Sequence, residues 1–319
     1  KMLHILLYWA GKGVDAFRCD MAEMVPVEFW SWAIGQVKER HPGVMFIAEV
    51  YNPSLYREYI YRAGFDILYD KVGLYDCLRG VVRMERSASD ITQCWQQVDD
   101  IRSHMLYFLE NHDEQRLASD FFAGSGQKGI AALAVAALMG GNPMMLYFGQ
   151  ELGERGMERE GFSGMDGRTT IFDYWRVPSV QEWYGGGKCC SRHINAEAAR
   201  LREQYRKIIA LANAEPFVSG KFYDLMYVNT DNPHLDHQRV FAFMRAAGDE
   251  RYLVVCNFSD REGDVGINIP QHALDFLGID EGSHPARDAL SGRRFTLALS
   301  ARRQAVVRVG TWSAAVTKF

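Results

Sequence analysis

At 319 residues, with 48% apolar and 24% charged side chains, the chain is long enough to bury a large core and a smaller second domain, and its composition is that of an ordinary globular protein. Its formal net charge of −4 supplies no basic field for nucleic acid. No apolar run reaches the roughly 18 residues that a membrane-spanning helix needs.

The opening KMLHILLYWAGKG reads as the last turns of a helix closing on Gly11 and Gly13. A first strand is predicted over 14–19. Pro26 then opens a helix, PVEFWSWAIGQVKER, whose Phe29, Trp30, Ala33, Ile34 and Val37 form a stripe at helical spacing. His41-Pro42-Gly43 ends it, and a second strand follows over 44–48. Asn52-Pro53-Ser54 starts a short helix. Strands are predicted over 65–69, 104–109 and 143–148, the first two joined by a charged, mostly helical connection. An Ala-rich buried helix covers 128–139. Strand and helix alternate, which calls for parallel pairing with helical crossovers, an α/β fold.

A loop over 149–190 carries eight glycines between 153 and 187, and loops of that length are usually functional. An amphipathic helix is predicted over 195–213. Beyond Glu215-Pro216 the period changes to two, in VFAFMRA, YLVVCNFS, DVGINIP, RFTLALS and AVVRVG. These are short strands between turns, a small antiparallel β-sandwich. The division is therefore 1–213 for the α/β part and 214–319 for the β domain. Six cysteines, Cys19, Cys77, Cys94, Cys189, Cys190 and Cys256, show no C-x-x-C pair and no metal spacing.

Three acids each close a short apolar run: Asp20 in GVDAFRCD, Glu49 in VMFIAEVY and Asp113 in LYFLENHDEQR. Parallel strands bring their carboxyl ends to one face, where a barrel gathers its reacting groups. Carboxylates at such a place are costly to bury without a task. A pair of carboxyl groups flanking one bond is what glycoside cleavage requires. Alternation along the first strand points Arg18 and Asp20 the same way, so a fixed cation stands beside a carboxylate. Glu49 follows Phe46-Ile47-Ala48, an apolar setting suited to a general acid.

These motifs resemble the α-amylase superfamily of glycoside hydrolases. In that family the fourth strand carries an Arg-x-Asp with the nucleophile, the fifth the acid/base Glu, and the seventh a His-Asp pair that grips the sugar. Here they look like Arg18-Cys19-Asp20, Glu49 and His112-Asp113. DMAEMVPVEFW is similar to the neopullulanase and cyclomaltodextrinase branch, and GNPMMLYFGQELG to the eighth strand and its loop. The resemblance is dense over roughly 1–212 and architectural beyond. It implies a (β/α)8 barrel seen from its fourth strand onward. The start at Lys1, without initiator Met or signal sequence, fits the expectation that strands one to three lie outside this sequence. On that expectation the 319 residues alone are inactive.

The resemblance implies a retaining hydrolase of α-1,4-linked glucans or malto-oligosaccharides. Asp20 is its nucleophile, Glu49 its acid/base, and Asp113 with His112 its transition-state support. Arg18, Arg116, Tyr51 and Glu23 are expected to contact substrate. Met21 and Met24 are expected beside the leaving group, and Asp166, Arg168, Asp173, Tyr174 and Trp175 along the cleft. A transglycosidase, or a sucrose- or maltose-isomerising enzyme, uses the same residues. A non-catalytic carbohydrate-binding barrel is the third reading, against which three intact acids count. No nucleotide or redox cofactor is implied, and the Gly185–Gly187 run is no phosphate loop because no Lys-Ser/Thr follows it. The calcium of many family members belongs to the upstream segment, so these residues neither require nor exclude it. The expected partner is an α-glucan, with no nucleic acid and no membrane span.

Overall fold

A computed structural model describes residues 1–158, 165–169, 171, 177–189 and 191–319. Five parallel strands lie side by side in chain order: β1 (Ala16–Cys19), β2 (Met45–Ala48), β3 (Ile67–Tyr69), β4 (Met105–Phe108) and β5 (Met144–Met145). The register pairs Cys19 with Ala48, Ala48 with Leu68, Leu68 with Met105 and Tyr107 with Met144. The carboxyl ends of successive strands therefore stand together.

Helix α1 (Met2–Ala10) precedes β1, and α2 (Val27–Arg40) connects β1 to β2. In α2, Val27, Trp30, Ala33, Ile34 and Val37 are buried on one stripe, and Pro26 precedes it at φ −55°, where no N–H is needed. Trp30 packs edge-on to Phe65 at 5.0 Å and donates its indole N–H to the Ala22 carbonyl. Helices α3 (Tyr56–Tyr61), α4 (Asp76–Val82) and α5 (Asp90–Gln97) make the next two connections. Helix α6 (Ile130–Leu138) joins β4 to β5, and all nine of its residues are buried. It touches β4 on one side and the second layer of the molecule on the other, so no face is left for polar residues. Helices α7 (Pro178–Tyr184), α8 (Ala196–Ala212) and α9 (Glu215–Val218) follow. The Asn195 side chain caps α8 at the Ala198 N–H.

From there pairing is antiparallel. Strands β6 (Lys221–Asp224), β7 (Val240–Ala247), β8 (Glu250–Asn257), β10 (Gly282–Asp288), β11 (Arg294–Leu299) and β13 (Ser313–Lys318) form one sheet, in the order β11-β10-β13-β8-β7-β6. Strands β9 (Gly263–Ile267) and β12 (Ala305–Val309) form a second, and α10 (Gln271–Leu277) lies between β9 and β10 in sequence. The β7–β8 hairpin turns on two residues, with Gly248 at φ +52°, a conformation that favours glycine. Three strands escaped the periodicity. β10 carries Pro285 and several exposed residues, while β6 and the Ala-rich β13 lack a clean apolar alternation. The predicted strand over 143–148 contracts to two residues because the chain leaves the sheet at Leu146.

Cys19, Cys77, Cys94 and Cys256 are buried free thiols and Cys189 is an exposed one; Cys190 lies outside the described residues. Arg245 of β7 is 2% exposed. Its guanidinium donates to the carbonyls of Pro216 (2.8 Å), Phe217 (2.8 Å) and Met139 (2.7 Å), joining the end of α6 and the α9 segment to the antiparallel sheet. Arg245→Met would strand three buried acceptors. We expect a loss of about 3 kcal/mol of stability by urea unfolding, and a change within experimental error would refute this role.

Candidate active site

Cys19 of β1 is in register with Ala48 of β2, so Asp20 and Glu49 leave the sheet as neighbours. The Arg18 guanidinium joins them. Nη1 lies 2.5 Å from Asp20 Oδ1, and Nη2 lies 2.8 Å from Glu49 Oε1. Burial works against the Arg18 charge, but Asp20, Tyr69 and Glu49 outweigh it and raise its pKa. The Tyr69 ring also lies 5.6 Å beneath the guanidinium.

Glu49 is 4% exposed, whereas the Asp20 side chain is 71% exposed. The expected apolar setting for Glu49 is corrected by the structure. Phe46 and Ala48 are buried in the core, while the Glu49 carboxylate enters a polar cradle. Oε2 accepts the Met21 N–H at 2.9 Å, and Oε1 accepts the Tyr51 hydroxyl at 2.9 Å. Met21 presents that N–H from a left-handed backbone, φ +46°, which costs a non-glycine residue about 1–2 kcal/mol. Backbone bonds from Ala22 N to Glu49 O and from Glu49 N to Cys19 O, 3.1 Å each, lock the two strand ends.

Glu23 was expected to face substrate. Its Oε2 accepts the N–H groups of Tyr51 (3.2 Å) and Asn52 (3.0 Å). It ties down the loop that carries Tyr51. Met24 is exposed on the adjacent turn.

The third acid arrives on the segment after β4. Asn111 Oδ1 accepts the N–H groups of Asp113 and Glu114 at 2.9 Å each, a side-chain turn that fixes His112 and Asp113. His112 Nε2 lies 3.1 Å from Asp113 Oδ2. Lys71 links this segment to the Glu49 side. Its ammonium lies 3.4 Å from Glu114 and 3.0 Å from Asp76, over the rings of Tyr51 (5.9 Å) and Tyr75 (5.5 Å). The Tyr75 hydroxyl donates to Glu114 at 3.2 Å. Burial first, then the negative charges of Glu49, Glu114 and Asp113, push the Tyr51 phenol up, so it remains a hydrogen-bond donor across the neutral range.

Arg116 is corrected outright. It is 1% exposed, Nη1 lies 3.0 Å from Glu110 Oε1, Nε donates to Thr169 at 2.7 Å, and the guanidinium sits 4.1 Å over the Tyr147 ring. Glu110 also accepts the Leu117 N–H. This buried pair closes the loop that presents His112 and Asp113, and it does not reach the cleft. Burial pushes the Glu110 carboxyl up against the pull of Arg116. Asp166 accepts from Arg168 within the long loop, at 2.9 and 2.6 Å. Asp173, Tyr174 and Trp175 lie outside the described residues.

Sequence reasoning passed over Tyr69, Asp70, Lys71 and Glu114. Asp70 follows an apolar run just as Asp20 and Glu49 do, so the same signal was available. Lys71 and Glu114 carried none, being single charges in polar stretches. Among the described residues, no group of three or more His, Cys, Asp or Glu side chains could hold a metal ion.

Residues 1–209 match the family of the alpha amylase catalytic domain. The chain belongs to the α-amylase family. It is 29% identical over 317 residues to an alpha-1,4-glucan:maltose-1-phosphate maltosyltransferase of Cereibacter sphaeroides, covering 92% of this chain and 39% of that protein. It is 26% identical over 293 residues to alpha-amylase 3 of Dictyoglomus thermophilum, covering 86% of this chain and 56% of that protein. The chain thus spans about two fifths to just over half of these curated relatives. Its fold is similar to that of a cyclomaltodextrinase, TM-score 0.72 at 18% identity, over all of this chain and 48% of the other. It is also similar to the maltogenic alpha-amylase AmyB of Thermotoga neapolitana, TM-score 0.68 at 22% identity, over all of this chain and 64% of the other.

Asp70 gives a pH test of this α-amylase edge. It is 1% exposed, and burial raises its carboxyl from 3.8 to about 6, against the hydrogen bonds of Leu74 and Gly73. The folded protein therefore holds this proton more tightly than the unfolded chain. No penalty exists below pH 3.8; it grows as pH rises and is complete above about 6. The shift corresponds to roughly 3 kcal/mol at most. Relative to the parent, Asp70→Asn should gain stability between pH 4 and pH 7 in urea unfolding. A difference that does not change with pH would contradict the assignment.

Proposed function

We propose that the protein cleaves α-1,4-linked glucans or malto-oligosaccharides by double displacement. The observation that carries this reading is the single guanidinium of Arg18 held between the Asp20 and Glu49 carboxylates at adjacent strand ends. Two carboxyl groups about 5–5.5 Å apart are the geometry of retention, and neighbouring strands about 4.8 Å apart supply side chains at that separation.

In this mechanism Asp20, open to the cleft and fixed by Arg18, attacks the anomeric carbon. Glu49 delivers a proton to the departing glycosidic oxygen as that bond breaks. A covalent glycosyl ester on Asp20 results. Glu49, now a carboxylate, takes a proton from the incoming hydroxyl, whose oxygen displaces Asp20 and restores the α configuration. Tyr51 and the Met21 N–H hold Glu49 in place through both steps. Asp113 and His112 hydrogen-bond sugar hydroxyls and support the distorted ring.

Hydrolysis, with water as the incoming hydroxyl, is the first reading. Transfer to a second sugar is the other, and the alignment with a maltosyltransferase over 92% of this chain favours it. The same residues serve both, and the acceptor decides. Incubating maltotriose with excess maltose separates them: glucose and maltose alone support hydrolysis, while longer maltodextrins support transfer. No cleavage of any α-1,4 substrate by the full-length protein would overturn both.

Asp20→Asn keeps the side-chain shape without the nucleophile, and kcat should fall about a thousandfold or more while thermal unfolding is unchanged. Turnover within tenfold of the parent on a maltodextrin would sink the assignment.

Glu49→Gln should lose about 10²–10⁴-fold on maltotriose but far less on an aryl α-glucoside, whose leaving group needs little protonation. Equal losses on both substrates would argue for a structural Glu49.

A further inference from the structure

We propose a second α-glucan site, separate from the acids, in the aromatic groove between α5 and the start of the antiparallel sheet. It rests on the reading of the chain as glucan-active. The groove has a volume of about 330 Å³, within the range of small-ligand sites.

Its floor is rigid. Asp224 Oδ2 accepts from the Thr92 hydroxyl and from the Trp95 indole N–H, 2.7 Å each, and Oδ1 accepts the Met226 N–H at 2.7 Å. The carboxylate is thereby fully engaged and Trp95 is pinned by its edge, which packs against Phe222 at 5.2 Å.

Its rim is aromatic and exposed. Tyr227 is 50% and Phe276 is 48% exposed, unusual for large apolar rings. Tyr223 stands 6.0 Å from Phe276 and 5.8 Å from His272. A relay of polar edges runs along the rings: Tyr223 hydroxyl to Tyr227 hydroxyl at 2.7 Å, then Tyr227 hydroxyl to His272 Nε2 at 2.6 Å.

This combination selects a neutral polyhydroxylated ligand. The C–H face of a glucose unit stacks on an aromatic face, and its hydroxyls meet the phenol and imidazole edges. Charge argues against the alternatives. The Asp224 carboxylate is covered, the Lys221 ammonium is turned onto the Phe276 carbonyl (2.7 Å) and ring (4.9 Å), and Arg102, 5.6 Å over the Phe222 ring, pairs with Asp99 at 3.7 Å, so among the described residues these cations are turned to other partners rather than converging on a phosphate.

The test is calorimetric titration of the full chain with maltoheptaose, in an Asp20→Asn background so that the sugar is not consumed. Two classes of site are expected. Adding Tyr227→Ala and Phe276→Ala should weaken one class about tenfold or abolish it and leave the other unchanged. Maltoheptaose should also slow amide exchange over 221–228 and 271–278 in the Asp20→Asn chain. Isotherms unaffected by the two alanines, with heat still evolved at the acids, would overturn the groove proposal alone. No heat in the Asp20→Asn chain would overturn it together with the substrate reading.

Discussion

One cation organises the site. Arg18 stands between two carboxylates that would otherwise repel each other across adjacent strand ends, and its position follows from strand alternation and register alone. The arrangement divides the acids by environment. Glu49 is buried, accepts from the Met21 N–H and the Tyr51 hydroxyl and lies beside the Arg18 guanidinium, while Asp20 pairs with that guanidinium and is exposed. Mechanistic asymmetry between chemically similar groups is thus set by what surrounds each one. The left-handed Met21 belongs to this logic, because the strain at that residue aims a backbone donor that no side chain could supply there.

Around that centre, loops are held by buried polar ties. Glu23 grips the backbone after Glu49, Asn111 folds the turn at Asp113, and Glu110 with Arg116 clamps the same segment to the long glycine-rich loop. Lys71 then connects the Asp113 side to Tyr51. Each tie spends a polar group on position, so the side chains left open to the cleft are fewer than the polar residues nearby.

That distinction explains what could be read in advance. The three acids were legible because each ends an apolar run, and helices α2 and α8 because their stripes have helical spacing. The partners of Glu23 and Arg116 escaped the sequence for a shared reason. A charged residue beside a catalytic motif has the same identity whether it faces the cleft or a backbone amide, and only the fold reveals the partner. Arg116 pairs with an acid six residues back, and Glu23 with amides 28 and 29 residues on. Lys71 and Glu114 meet across more than forty residues, a contact that depends on loop paths. Strand β10 was invisible because proline and exposed charges mask its pairing, although Ala286 and Asp288 point inward.

The join made by Arg245 has a consequence of a different kind. Its partners are main-chain carbonyls contributed by Pro216, Phe217 and Met139. Dipoles of this sort do not titrate, and their burial shields them from dissolved ions. Neither mild acid nor salt can loosen the contact while the backbone stays folded, in contrast to the exposed ion pairs elsewhere on the surface. The parallel and antiparallel halves are therefore tied through a contact that persists across mild acid and salt, with the all-apolar α6 between them, and are expected to unfold as one unit.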